Sequence, residues 1–184
     1  MKKSRSDMER LEIEKTLESF RIIADTREHN TPKAKRRFKS FNVTVERAAL
    51  SYGDYCWNAD VDGKAVHPTS SSILAPCVIE RKMSLDELAG NFTRGRKRFQ
   101  REFERAAAAG ARVYLLVEDG SWEKILRHEY RSRYHPNAFI SSLTAWMVRY
   151  GLVPVFCEAR TSGRMIREIL YRDLKERLER GDYG

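Results

Sequence analysis

Two short stretches of the 184-residue chain carry residues whose types and spacing suit phosphate chemistry. The first is Gly53-Asp54-Tyr55. The second is Val78-Ile79-Glu80-Arg81-Lys82, with Asp86 four residues beyond the lysine. Carboxylate oxygens are the ligands that hard divalent cations such as Mg²⁺ or Mn²⁺ prefer. An ammonium beside them steadies an attacking water or the charge that builds on phosphate oxygens. On a strand, period-2 alternation puts Glu80 and Lys82 on one face and turns Arg81 to the other. Asp25 closes an apolar run at residues 20–24, where a strand delivers its carboxylate to an edge.

The elements that must position these groups follow in chain order. Residues 1–19 read as a peripheral N-terminal helix or tail with a frayed basic start, and residues 20–184 as one domain. After Thr31-Pro32 come Lys33, Lys35, Arg36, Arg37 and Lys39, a loop or short helix that either faces a phosphate backbone or is a solvated charge run. Residues 41–50 alternate as a strand, and residues 52–61 form a second strand carrying Asp54. Asp62-Gly63 is a hairpin turn signal, and residues 73–80 re-enter the core to present Glu80 and Lys82. Ser84 with Glu87 forms a capping box for a helix to about residue 92. A second helical stretch runs to Ala109 and is closed by Gly110. On its wheel, Arg94, Arg98, Arg101 and Arg105 share a sector of roughly 60°, with Phe99 and Phe103 opposite. Arg96 falls nearer the phenylalanines, where it either meets an anionic partner or snorkels at the border.

Residues 112–118 form an apolar run of the kind buried on both faces of a parallel arrangement. Ser121 caps a short helix, Pro136 opens a longer one that ends at Gly151, residues 153–157 make a last strand, and a charged helix runs from Thr161 to about Arg180. Helices flanking a mixed central sheet make an α/β fold.

Lys and Arg number 35 against 26 Asp and Glu, a formal net charge of +9, which favours a polyanionic partner such as nucleic acid or an anionic membrane surface. No apolar run is long enough to span a bilayer, so a membrane partner is not expected. Cys56, Cys77 and Cys157 have no C-x-x-C spacing, which argues against a disulfide framework or a thiolate zinc site.

The pattern Gly53-Asp54, a gap, then Glu80-Arg81-Lys82-x-x-x-Asp86 resembles the signature of the XPF-type structure-specific nucleases, a family of the PD-(D/E)XK superfamily. Ile23-Ala24-Asp25-Thr26-Arg27-Glu28 resembles the Asp-x-Arg-Glu that opens the family's nuclease domain. Gly95-Arg96 followed by Gln100 resembles its Gly-Arg-x-x-x-Gln helix. The resemblance implies a restriction-endonuclease-like core in which Asp25, Asp54, Glu80, Lys82 and Asp86 are catalytic. Asp54, Glu80 and the backbone carbonyl of Arg81 are the implied metal ligands, with Asp25 an outer or second ligand and water filling the rest. Lys82 would orient or help deprotonate the attacking water. Glu28 and Arg81 stand behind the ligands, and Glu28 either approaches the metal or pairs with an arginine. Asp86 either accepts from Arg96 or reaches the metal through water. Arg96 and Gln100 are implied phosphate or scaffold contacts, and the Arg94–Arg98–Arg101–Arg105 stripe supplies sequence-independent phosphate binding.

The expected reaction is Mg²⁺-dependent hydrolysis of DNA phosphodiester bonds, with Mn²⁺ substituting, at flap, splayed-arm or junction structures, in DNA repair or recombination. Relatives often carry a tandem helix-hairpin-helix module or a helicase, neither of which is expected in this stand-alone nuclease domain. Specificity would then come from the domain itself, a homodimer or a protein partner. The helix over residues 139–150 and the last helix are the expected dimer surface. The expected compartment is the cytoplasm of a bacterial, archaeal or virus-infected cell, or the nucleus of a eukaryote. The rival readings are an inactive DNA-binding scaffold of the same fold and a Holliday-junction resolvase.

Overall fold

A six-stranded mixed sheet separates two apolar cores. The computed structural model describes residues 5–28, 31–69 and 72–181, so the start of the chain at residues 1–4 lies outside it. In order, the elements are α1 (Arg5–Glu18), β1 (Arg21–Asp25), α2 (Pro32–Phe41), β2 (Val45–Ala48) and β3 (Tyr55–Asn58), then β4 (Asp60–Val61), β5 (Lys64–Ala65) and β6 (Cys77–Lys82). They continue as α3 (Leu85–Phe92), α4 (Arg96–Ala108), β7 (Arg112–Glu118), α5 (Trp122–Leu126), α6 (Pro136–Tyr150), β8 (Val153–Cys157) and α7 (Ser162–Arg180).

The sheet order is β2-β1-β3-β6-β7-β8, with β3 antiparallel to both β1 and β6, and the β6-β7-β8 half parallel. The expected α/β architecture of a mixed sheet between helices is the one observed. Alternation along β6 sends Val78 into one core and Cys77 and Ile79 into the other. Helices α3, α4 and α6 cover the Val78 side, where Phe92, Phe99, Phe103 and Trp146 meet edge to face. Helices α2 and α7 cover the other side through Phe41, Ile166, Leu170 and Leu174. Gly163 lets these two helices approach, since a Cβ there would lie 1.9 Å from Ser40 Oγ.

Local signals explain most boundaries. Thr31 Oγ1 accepts from Ala34 N, Ser84 Oγ from Glu87 N and Ser121 Oγ from Lys124 N, each opening its helix. Asp62 and Gly63 both take positive φ, the backbone a two-residue hairpin needs, and join β4 to β5.

Expected strand bounds fail in two places. Residues 52–61 are not one strand: β3 covers Tyr55–Asn58, so Asp54 lies just before it, and β4 pairs in a separate sheet. Residues 41–44 are not strand: the Thr31 cap and Pro32 start a helix that runs through Phe41 until Asn42 ends it in the left-handed conformation. On α6, expected with the last helix to form a dimer surface, Phe139, Leu143 and Trp146 are fully buried while Val148 is exposed. Burial likewise takes Ile166, Leu170 and Leu174 of α7 into the core.

Candidate active site

Asp54 is clamped between strands. Its N–H donates to Ile79 O and its carbonyl accepts from Asp25 N, both at 2.8 Å, which ties β1 to β6 across the start of β3. Gly53 makes this possible: it has φ +73°, and a Cβ there would stand 2.8 Å from Val78 Cβ. The Asp54 side chain reaches β6 as well, its Oδ2 accepting from Arg81 N at 2.7 Å.

Glu80 and Lys82 share the face that alternation assigns them. Both are buried, and Lys82 Nζ donates to Glu80 Oε1 at 2.5 Å while lying 4.9 Å from the centre of the Phe99 ring. Glu80 Oε2 is buried without a hydrogen-bond partner. A neighbour that the sequence reading missed completes the group: Glu102 of α4 accepts from Gly53 N at 3.0 Å. Its position on the α4 wheel, between the phenylalanine face and Arg98, was the available signal.

The electrostatics are those of crowded acids. Burial, with the charges of Glu28 and Glu102, outweighs the relief from Lys82 and Arg81 N–H and pushes Asp54 up to about 6. Burial and then the Asp54 charge push Glu80 well above the usual carboxylate range. Burial works to lower Lys82, but Glu80 and Asp54 prevail and its pKa is raised.

The remaining candidates take other posts. Asp25 is buried and already saturated: Oδ1 accepts from Arg27 N and Nε, each at 2.7 Å, and Oδ2 from Leu50 N at 2.7 Å and Arg27 Nη2 at 3.1 Å. Burial works to raise its pKa, but these bonds hold it low. With all four bonds made, Asp25 has no oxygen free for a metal in this arrangement and anchors the turn after β1 instead. Asp86 is likewise engaged elsewhere, its carboxylate accepting from the backbone N–H groups of Arg131 and Ser132.

Arg81 turns to the opposite face. There it pairs with Glu118 at 3.0 Å and Glu28 at 3.8 Å, while Arg37 pairs with Glu28 at 3.3 Å and Glu118 at 3.6 Å. Arg37 Nε also donates to Tyr55 Oη at 3.0 Å, so this arginine faces the protein and not the phosphate backbone or open solvent, the two readings its basic segment suggested. Among the described residues Arg96 pairs with no acid; it donates to Phe92 O and Ser142 Oγ and lies over Trp146, tying α4 to α6. Gln100 donates to Glu104, and Arg101 to Lys97 O, both along α4. Arg94, Arg98, Arg101 and Arg105 are exposed, with Arg105 Nε on Ser51 O at 3.1 Å, close to Gly53.

A family model for the ERCC4 domain matches residues 24–168, most of the chain and all of this site. The chain belongs to the ERCC4 domain family. Among solved structures, XPF from Aeropyrum pernix is similar over 84% of this chain and 68% of its own, at 20% identity and a TM-score of 0.58. The same protein in complex with DNA is similar over 85% of this chain and 65% of its own, at 22% identity and a TM-score of 0.58. This chain therefore spans about two thirds of their length, and it shares the fold of an XPF-type nuclease domain. No curated protein sequence gives a match. No described helix is long and apolar enough to cross a membrane.

The ERCC4 site residues fit a hard divalent cation bound by few protein atoms. Among the described residues no cluster of three or more His, Cys, Asp or Glu is grouped for full coordination. Glu80 nevertheless offers an unpartnered buried oxygen beside the strained carboxylate of Asp54, and Mg²⁺ keeps several waters in such sites.

Proposed function

We propose that this ERCC4 domain is a divalent-metal-dependent endonuclease that hydrolyses phosphodiester bonds in branched DNA. One observation carries the reading: Asp54 and Glu80, both raised by burial, converge on one face with Lys82 while an oxygen of Glu80 is left unpaired.

Asp54, Glu80 and the Arg81 carbonyl would hold the cation, Mg²⁺ with Mn²⁺ as substitute, which would supply Lewis-acid stabilisation of phosphate charge. Lys82, held charged by its carboxylate neighbours, orients the attacking water and stabilises negative charge on the phosphate. Glu102 fixes Gly53 and hence the backbone that delivers Asp54. The exposed α4 arginines bind phosphates without reading sequence. A flap, splayed arm or junction is the substrate class, and repair or recombination the setting. A second copy or a protein partner would add selectivity, in the compartment that holds the DNA. The inactive scaffold is disfavoured because the Asp54–Glu80–Lys82 group is intact and assembled.

The test is cleavage of labelled duplex, flap, splayed-arm and four-way-junction DNA with Mg²⁺, Mn²⁺ or EDTA. Asp54→Asn and Glu80→Gln should each lower the rate on the order of 10²–10³-fold while binding persists. Binding without cutting under any metal would establish the scaffold instead.

A further inference from the structure

Asp86 holds a loop. Its Oδ1 accepts from Arg131 N at 2.8 Å and Ser132 N at 2.7 Å, and Oδ2 lies 3.4 Å from Arg131 Nε. The loop, residues 127–135 between α5 and α6, is framed from within. Tyr130 Oη donates to Tyr134 O at 2.6 Å, Tyr134 Oη meets Ser142 Oγ at 2.6 Å, and both rings pack on Phe139.

This frame presents cations outward. The Arg131 side chain is 94% exposed, Arg127 and Arg133 are exposed, and Arg94 joins Arg131 and Arg133 around one open concavity. Among the described residues no acidic side chain pairs with Arg94 or Arg133. Arg127 pairs with Glu129 at 3.8 Å and Arg131 lies 3.4 Å from Asp86, which leaves Arg94 and Arg133 as the cations open to an anionic partner. Asp86 lies four residues past Lys82, so their Cα atoms are at most roughly 14 Å apart. That is about four base-pair rises of 3.4 Å along duplex DNA.

We propose that the 127–135 loop is a phosphate clamp: Arg131 and Arg133, with Arg94 opposite, grip the DNA backbone beside the scissile bond. Asp86 is the positioning residue that holds the clamp, and not a metal ligand. The clamp rests on the DNA-cleaving reading above and extends the α4 arginine stripe past Arg94 onto a second element.

The test is fluorescence anisotropy of a labelled DNA junction in EDTA across a salt series, with each variant's fold checked by circular dichroism. The double variant Arg131→Ala, Arg133→Ala should bind about 10-fold more weakly, and the slope of log K against log salt should fall by about 1.8. Removing two arginines from α7, Arg172→Ala and Arg180→Ala, should leave that slope as it is. Asp86→Ala should reproduce the loop defect. Asp86→Asn, which keeps an oxygen for both backbone N–H groups, should restore binding.

An unchanged slope in the Arg131/Arg133 double variant overturns the clamp while leaving the nuclease reading intact. So does an equal loss in the α7 control. Asp86→Ala and Asp86→Asn that both weaken Mn²⁺ binding by calorimetry, with normal DNA slopes, return Asp86 to the metal. Wild-type protein that binds no DNA removes the nuclease reading, and the clamp with it.

Discussion

Asp54 is held where a carboxylate is least stable without a cation. Its pKa of about 6 lies above the ordinary value of 3.8, so the folded state binds the proton more tightly than the unfolded chain does. The stability linked to that proton is fully present below about pH 4 and lost as pH rises through 6. At neutral pH in EDTA the ionised group therefore destabilises the fold, by about 3 kcal/mol at most. Asp54→Asn removes the charge and keeps an oxygen for Arg81 N–H. It should gain about 1–2 kcal/mol in urea unfolding at pH 7.5, with the gain gone by pH 4. Equal stabilities at pH 7.5 would show that the carboxylate is not strained.

At the scale of elements, the entry into β3 is the fragile joint. Gly53 has positive φ and no room for a Cβ against Val78, and its N–H carries the bond to Glu102. Gly53→Ala should cost about 2 kcal/mol or more through backbone strain and the displaced Val78. In a chain of this length that lowers the melting temperature by roughly 4–8 °C. A calorimetric melt at the wild-type temperature would refute this account of the joint. The helix starts around it were legible because capping is local: Ser84 and Ser121 each bond within their own first turn. Residues 41–44 were misread because alternation there mimics a strand, while the preceding cap at Thr31 had already committed the backbone to α2.

For the molecule as a whole, the ring of Glu28, Arg37, Glu118 and Arg81 backs the Glu80–Lys82 face of β6. It joins the turn after β1 to α2, β6 and β7. Its side chains are largely shielded from water, so each charge depends on its partners. Arg81→Leu leaves two glutamates sharing one arginine and should cost about 3–5 kcal/mol in urea unfolding. The double variant Arg81→Leu, Glu118→Leu should recover much of that loss. Simple addition of the two single losses would show that the ring is not coupled.

The sequence by itself determined the helices and the order of the main strands though not their bounds, the shared face of Glu80 and Lys82, the outward arginines of the α4 stripe and the family. Each of these depends on alternation, helical period, capping or motif order, all written over short spans of chain. Tertiary structure alone decided which charges meet. It turned Arg37 inward, set Glu102 under Gly53, saturated Asp25 with Arg27 and Leu50, and bonded Asp86 to a loop 45 residues away. A carboxylate's partners depend on how distant elements pack, and residue spacing along the chain does not encode that.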